Sequence, residues 1–238
     1  MNPKPTFLAI DTSTEACSAA ILHANGCVWR DEMTPKAHTT LLIPMIEALL
    51  AETGLKLADM AAIAVTRGPG SFTGVRIGVG IAQGIGFGLN KPVYEISSLE
   101  ALAAHTAFPG RVIAAIDARM QEVYTATYCR QHNVISVEGC EVLCSPATLM
   151  GHALQYADES AVLLAGTGWG AYEPTFPLPA GWQIKPNQYP HAKAVAELAY
   201  QQWLQGKKGV GADSLQPVYL RDNVAEKSKK VKLLHIDK

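Results

Sequence analysis

Asp11 and Asp117 stand at the ends of two short apolar runs, residues 7–10 and 112–116, and could come together as paired carboxylates. General acid and base chemistry uses such a pair. The same positions suit acids that only hold a loop in shape, and the residues alone leave both readings open. Ser71 could act as a nucleophile, but no GxSxG elbow surrounds it, and a serine opening a helix is better accounted for as an N-cap. No GxxxxGKS or GxxxxGKT phosphate loop occurs. The seven histidines, at 23, 38, 105, 132, 152, 191 and 235, come no closer than 38 − 23 = 15 residues. They include no local i, i+4 pair of the kind that holds one metal on a helix face. Cys140 and Cys144 have ligand spacing but no neighbouring histidine or second cysteine pair, and read as ordinary strand and loop cysteines. No metal site and no catalytic residue is assigned.

The elements that must position the two aspartates alternate between strand and helix. Residues 7–11 and 16–22 read as strands joined by the polar loop 12–15, with 27–33 as a third strand. Thr34-Pro35 supplies an N-cap and a first-turn proline. Behind them Leu41, Leu42, Met45, Ile46, Leu49 and Leu50 fall at helical spacing, and Pro44 requires that helix to kink or start late. Residues 61–66 and 93–97 read as strands, the second followed by a helix through 104. Then the opening pattern recurs. Ala9-Ile10-Asp11 aligns with Ala115-Ile116-Asp117, 117 − 11 = 106 residues on, and each leads into a polar loop and another strand. Repetition at that distance means two similar lobes rather than a solenoid. The second continues with a helix near 146–156, a strand at 162–165 and Gly166-Thr167-Gly168, then an irregular stretch, 174–190, with five prolines. The expected organisation is an N-terminal lobe at 1–107, a C-terminal lobe at 108–190, and a returning segment, 191–223, whose helix joins the first lobe. Residues 224–238 read as a mobile basic tail with Lys227, Lys229, Lys230, Lys232 and Lys238.

Two lobes that each open with a hairpin whose loop begins in Asp resemble the α/β actin, Hsp70 and sugar-kinase (ASKHA) architecture. In that superfamily the hairpin loops hold phosphates and a later Gly-Thr-Gly-type turn holds the nucleotide. The resemblance implies a vestigial phosphate or nucleotide cleft at Asp11, Thr12, Ser13, Asp117, Arg119, Gly166 and Gly168. Thr12 and Ser13 keep small hydroxyls that could donate to a phosphate. The second loop, Asp117-Ala118-Arg119-Met120, lacks glycine, and Arg119 could pair with a phosphate or with a carboxylate such as Glu122. No cofactor is expected, and ATP or ADP would bind only weakly or in an assembled complex.

The run 67–90 holds a Gly-Pro-Gly turn and then a helix-length stretch with one charge, Arg76, and glycines at 74, 78, 80, 84, 86 and 88. Each glycine inside a helix costs about 1 kcal/mol relative to alanine, so packing must offset it. Glycines four apart, at 74 and 78 and at 80, 84 and 88, make a flat stripe that lets another backbone come close. That backbone could belong to the chain's own core or to a second subunit, and spacing does not separate the two. Composition narrows the class: 48% hydrophobic and 17% charged residues suit a large core. A net charge of −1 argues against holding nucleic acid alone through a broad basic face. No segment reaches the ~20 apolar residues of a membrane span, and the N-terminus lacks a signal-peptide pattern. Five cysteines without a CxxC fit reduced thiols and a cytoplasmic location.

Gly68-Pro69-Gly70-Ser71-Phe72-Thr73-Gly74-Val75-Arg76-Ile77-Gly78 resembles the signature of the bacterial TsaB (YeaZ) family of tRNA threonylcarbamoyladenosine biosynthesis proteins. The resemblance extends to residues 9–14, to His38 with residues 41–46, and to residues 216–221, and so spans nearly the whole chain. It implies a non-catalytic subunit that works with the catalytic paralogue TsaD and the ATPase TsaE. The group transferred would be threonylcarbamoyl, from the adenylate made by TsaC to the adenosine beside the anticodon of tRNAs reading codons that start with A. TsaD-type relatives carry a metal-binding His-xxx-His pair on the first helix; here His38 stands with Thr34 and Leu42 at the possible partner positions. The implied partner interface is a helix bundle. Leu41, Leu42, Met45, Ile46 and Leu49 would come from one helix, and Phe72, Gly74, Arg76, Gly78, Gly80, Gln83 and Gly84 from the next. The same surface could pair two copies of this chain, and tRNA would be met only through the complex. The rival reading is a small-molecule kinase or ATPase of the same architecture, whose ATP affinity Asp11→Ala would abolish. A glycoprotease-like peptidase would need metal ligands absent from the sequence, and a stand-alone RNA-binding module conflicts with the charge balance.

Overall fold

The computed structural model describes residues 5–34, 36–131 and 134–221, so Pro35 and the basic tail expected at 224–238 lie outside the described residues. β1 (Phe7–Asp11), β2 (Ala16–His23), β3 (Gly26–Met33), β4 (Ala62–Thr66) and β5 (Val93–Ile96) form one sheet in the order β3-β2-β1-β4-β5. β6 (Arg111–Arg119), β7 (Glu122–Gln131), β8 (Val134–Cys144), β9 (Val162–Ala165) and β10 (Gln183–Lys185) form another in the order β10-β9-β6-β7-β8. Both follow one plan: three antiparallel strands, then two parallel ones added beside the first. This is the duplicated ASKHA plan. Two strands escaped the sequence reading. β8 is an edge strand with few buried side chains, and β10 lies inside the proline-rich stretch, paired with β9.

The helices are α1 (His38–Thr53), α2 (Phe72–Leu89), α3 (Ser98–His105), α4 (Pro146–Leu154), α5 (Thr167–Ala171) and α6 (Ala192–Leu204). They make five layers: α1 and α2, the first sheet, α3 and α6, the second sheet, and α4 with α5. In the middle layer α6 packs on β1 and β2, α3 packs on β6, and the two helices touch each other. Side-chain alternation sets the layers. Leu8 and Ile10 of β1 face α1 and α2, while Phe7 and Ala9 face the middle. On β6, Val112, Ala114 and Ile116 face the middle, and Ile113 and Ala115 face outward.

That alternation corrects the alignment of the two lobes. An offset of 106 puts Ile10 and Ile116 on opposite faces, because a one-residue slip flips every side chain of a strand. Only an odd offset preserves faces; one of 113 − 8 = 105, for example, sets Ile10 against Ala115 and Asp11 against Ile116. Asp11 and Asp117 are therefore not counterparts.

The start of α1 also differs from expectation. Thr34 Oγ1 accepts from Ala37 N at 3.2 Å, but the helix begins only at His38, and Ala37 offers no side-chain cap. Pro44 lies inside the helix on its solvent side. Leu42, Met45, Ile46 and Leu49, expected at a partner interface, are buried in the core between α1 and the first sheet; Leu41 is half-buried beside them. The apolar stripe of α1 is its core face.

The glycine stripe of α2 divides in two. A Cβ on Gly70 would lie 2.2 Å from Ser13 O, on Gly74 2.1 Å from Thr12 O, and on Gly78 2.6 Å from Thr12 Oγ1. Gly74 and Gly78, also expected at the partner interface, thus meet the chain's own first hairpin loop. A Cβ on Gly80, Gly84 or Gly88 would have no atom of the described residues, outside the helix's own nearby backbone, within 4 Å. Gly74→Ala should cost more than about 2 kcal/mol, since a backbone oxygen cannot step aside. Gly80→Ala should instead add up to about 1 kcal/mol. Urea unfolding of the two variants checks both signs.

At the α3–α6 junction the His105 ring stacks on that of His191, with centroids 4.5 Å apart and planes 6° apart. His191 caps α6 by accepting from Lys193 N at 3.0 Å. Burial, followed by the nearby His191 and Lys193, holds His105 at about 4 instead of 6.5, with Asp31 opposing and Lys185 adding to the effect. Between those values the unfolded chain takes up a proton that the folded chain refuses, so stability falls as pH drops through the window. His105→Phe should flatten that acid limb in thermal melts recorded across it.

Candidate functional site

Asp11 ends β1 fully buried. Its Oδ1 accepts from Thr66 Oγ1 at 2.6 Å, Ser13 Oγ at 2.7 Å and Ser13 N at 3.3 Å, while Oδ2 has no partner among the described residues. Burial pushes the carboxyl above its ordinary range despite these bonds. Thr12 donates its hydroxyl to Gly74 O at 2.7 Å, and Ser71 N donates to Ser13 O at 2.8 Å. Ser71 Oγ accepts from Gly74 N at 3.3 Å, the expected N-cap of α2. The loop is thus bound to the start of α2 through Thr12 and Ser13. His38 contributes to the same wall, with Nε2 2.9 Å from Thr14 O.

The Gly-Thr-Gly turn has a similar internal use. A Cβ on Gly166, whose φ is +114°, would lie 2.2 Å from Ala115 O, and one on Gly168 would lie 2.9 Å from Ala115 Cβ. These glycines let α5 sit directly on β6.

A cavity of about 490 Å³ opens between the two hairpin loops, lined by Ser13, Glu15, Ser71, Asp117, Arg119, Tyr124, Tyr219 and Arg221 among others. Asp11 does not line it, so the two aspartates do not meet across the cleft. Arg119 bridges the lobes: Nη2 bonds Glu15 Oε1 at 2.6 Å and Nη1 bonds Asp117 Oδ2 at 2.9 Å. Glu122, considered as a partner for Arg119, is held by Arg221 Nη2 at 2.5 Å. The same nitrogen donates to Ala118 O at 3.0 Å and Arg119 O at 3.3 Å. Two guanidinium groups therefore face three carboxylates, while Arg221 Nε has no hydrogen-bond partner among the described residues. The turn that carries Arg119 is strained. Arg119, Met120 and Gln121 have φ of +62°, +56° and +61°, a conformation costing non-glycine residues about 1 kcal/mol or more each.

The side of α2 away from the sheet exposes Phe72, Thr73, Arg76, Gly80, Gly84, Phe87 and Gly88. Phe87 is 78% exposed. Arg76 lies 3.6 Å over the Phe72 ring and donates from Nε to Tyr219 Oη at 2.6 Å. Gln83 donates to Leu215 O at 2.9 Å, so the C-terminal segment runs beside the helix. By length and composition α2 would pass for a membrane span, contrary to the sequence estimate; here it is seated on β4 and β1.

The model of the family described as "TsaD: tRNA N6-adenosine threonylcarbamoyltransferase" matches residues 30–229. The chain is 40% identical to the tRNA threonylcarbamoyladenosine biosynthesis protein TsaB of Haemophilus influenzae, over 93% of this chain and 96% of that one. The TsaB of Escherichia coli matches at the same identity and coverage. The chain belongs to the TsaB family. Among solved structures, YeaZ from Pseudomonas aeruginosa is similar at a TM-score of 0.82 and 40% identity, over 91% of this chain and all of that one.

Within this TsaB-family chain, the candidate residues separate by place. Asp117 and Arg119 share the cleft with Ser13, whereas Asp11, Thr12, Gly166 and Gly168 are committed to internal packing. Glu15 and Tyr219 were missed as cleft residues, since neither type nor spacing marks a side chain that another lobe will meet. Phe87 had a signal: it lies three residues beyond Gly84, on the same helix face. A buried acid whose folded pKa is raised loses stability as pH climbs above its unfolded value near 3.8. Asp11→Asn should therefore raise Tm at neutral pH and lose that advantage as pH falls towards 4. A lower Tm at every pH would mean that the fold requires the carboxylate.

Proposed function

We propose that this chain takes part in tRNA threonylcarbamoyladenosine biosynthesis as the non-catalytic partner of a TsaD-type paralogue. It assists transfer of the threonylcarbamoyl group to the adenosine beside the anticodon in tRNAs reading codons that start with A. The outer face of α2 carries this reading. Gly80, Gly84 and Gly88 each cost the helix about 1 kcal/mol, and among the described residues no atom outside the helix's own nearby backbone stands within 4 Å of where their Cβ atoms would be. Among the described residues, nothing packed on the stripe offsets that cost. A second helix laid on the stripe would, with Phe72 and Phe87 as apolar anchors at its ends.

A paralogue of the same two-lobed plan offers an equivalent helix, so the pairing is pseudo-symmetric. Two copies of this chain would use the same face when the paralogue is absent. A TsaE-type ATPase joins the pair, tRNA is met through the assembly, and the whole works in the cytoplasm. The neutralised guanidinium groups of the cleft support a chain that needs no cofactor of its own and takes ATP or ADP only weakly or after assembly.

Sedimentation of this chain with a TsaD-type paralogue should give a heterodimer, and tRNA modification should require both. Gly84→Leu should weaken pairing by about 100-fold or more while the monomer still melts cooperatively. ATP turnover by this chain alone, without association, would overturn the reading in favour of a kinase or ATPase.

A further inference from the structure

The segment 215–221 ties together three parts of the molecule that sequence keeps far apart. It begins at Leu215, fully buried, whose carbonyl accepts from Gln83 of α2. Val218 N donates to Arg67 O at 2.8 Å, just before α2. Tyr219 then enters the stack with Phe72, ring centroids 5.5 Å apart, and accepts from Arg76. Two residues later Arg221 grips the second hairpin through Ala118 O, Arg119 O and Glu122. Arg119 of that hairpin reaches across to Glu15 of the first. One continuous set of contacts thus runs from the surface of α2 to both sides of the cleft.

The hairpin at the end of this path is the part able to respond. Its three consecutive left-handed residues, none of them glycine, hold their shape while Arg221 bonds the carbonyls of Ala118 and Arg119. Tyr219, 41% exposed, and Phe72, 43% exposed, lie at the N-terminal end of the exposed face of α2.

We propose that residues 215–221 form a strap that couples occupation of the α2 face to the second hairpin, so that a partner on α2 tightens the closure of the cleft. The coupling to a partner rests on α2 being the partner face; the strap itself does not. Two arms of a hydrogen-exchange experiment on the full chain separate them. In the isolated chain, Tyr219→Ala and Arg221→Gln should each speed exchange of amides 118–123 about tenfold and leave those of β1 and β2 unchanged. Because the residues act in series, the double variant should do little more than the stronger single one. Tyr219→Phe, which keeps the ring and removes only the bond from Arg76, should give a smaller effect in the same direction and serves if Tyr219→Ala does not fold. In the second arm, saturating TsaD-type paralogue should slow exchange at 118–123 in the wild type but not in Tyr219→Ala. Unchanged exchange in the isolated variants, or additive effects in the double one, would overturn the strap. Equal slowing in the wild type and Tyr219→Ala would show direct covering instead of coupling. If no paralogue associates, the partner reading fails while the first arm still decides the strap.

Discussion

The contact on which the rest of the molecule depends is backbone against backbone: the first hairpin loop pressed into the start of α2. Gly70, Gly74 and Gly78 leave no room for a single added carbon between the helix and the carbonyls and hydroxyl of Thr12 and Ser13. That approach fixes where α2 lies on the sheet and in which direction its remaining glycines point. It also ties up the Thr12 hydroxyl and the Ser13 carbonyl, while Ser13, Thr14 and Glu15 still line the cavity. One set of three glycines thus sets both the seat of the loop and the direction of the exposed glycines.

The second lobe repeats the device with other residues. Gly166 and Gly168 bring α5 onto Ala115 of β6 much as Gly74 brings α2 onto Thr12. In both lobes the helix that follows the first parallel strand sits against the first strand or its loop. The cleft that remains between them is bridged by ion pairs internal to the chain, with Arg119 at the centre. Exposed ion pairs of this kind contribute little stability, about 0–1 kcal/mol.

Much of this plan was legible in the sequence because it rests on local rules. Strands with continuous apolar runs, the Ser71 cap and the recurrence of a strand-loop-strand pattern all declare themselves within a few residues. What failed needed information about faces. The apolar side of α1 looks the same whether it meets a sheet or a partner, so Leu42, Met45, Ile46 and Leu49 were read outward when they point inward. A glycine stripe has no side chain to reveal its direction, and only the positions of Thr12 and Ser13 divide it. The repeat was recognised, yet matching letters placed it one residue out of register, because identity of residue type carries no information about the pleat.

The middle layer sets a schedule for folding. The inner face of the first sheet, with Phe7 and Ala9 among its side chains, is covered by α6, which the chain supplies only after the whole second sheet. From the end of β5 at Ile96 to the end of α6 at Leu204, 204 − 96 = 108 residues must be made. At a synthesis rate of roughly 5–20 residues per second that interval is about 5–20 s. For that time the nascent N-terminal half carries a bare apolar surface, and the ribosome-bound chain is most open to misassociation before its last helix is complete.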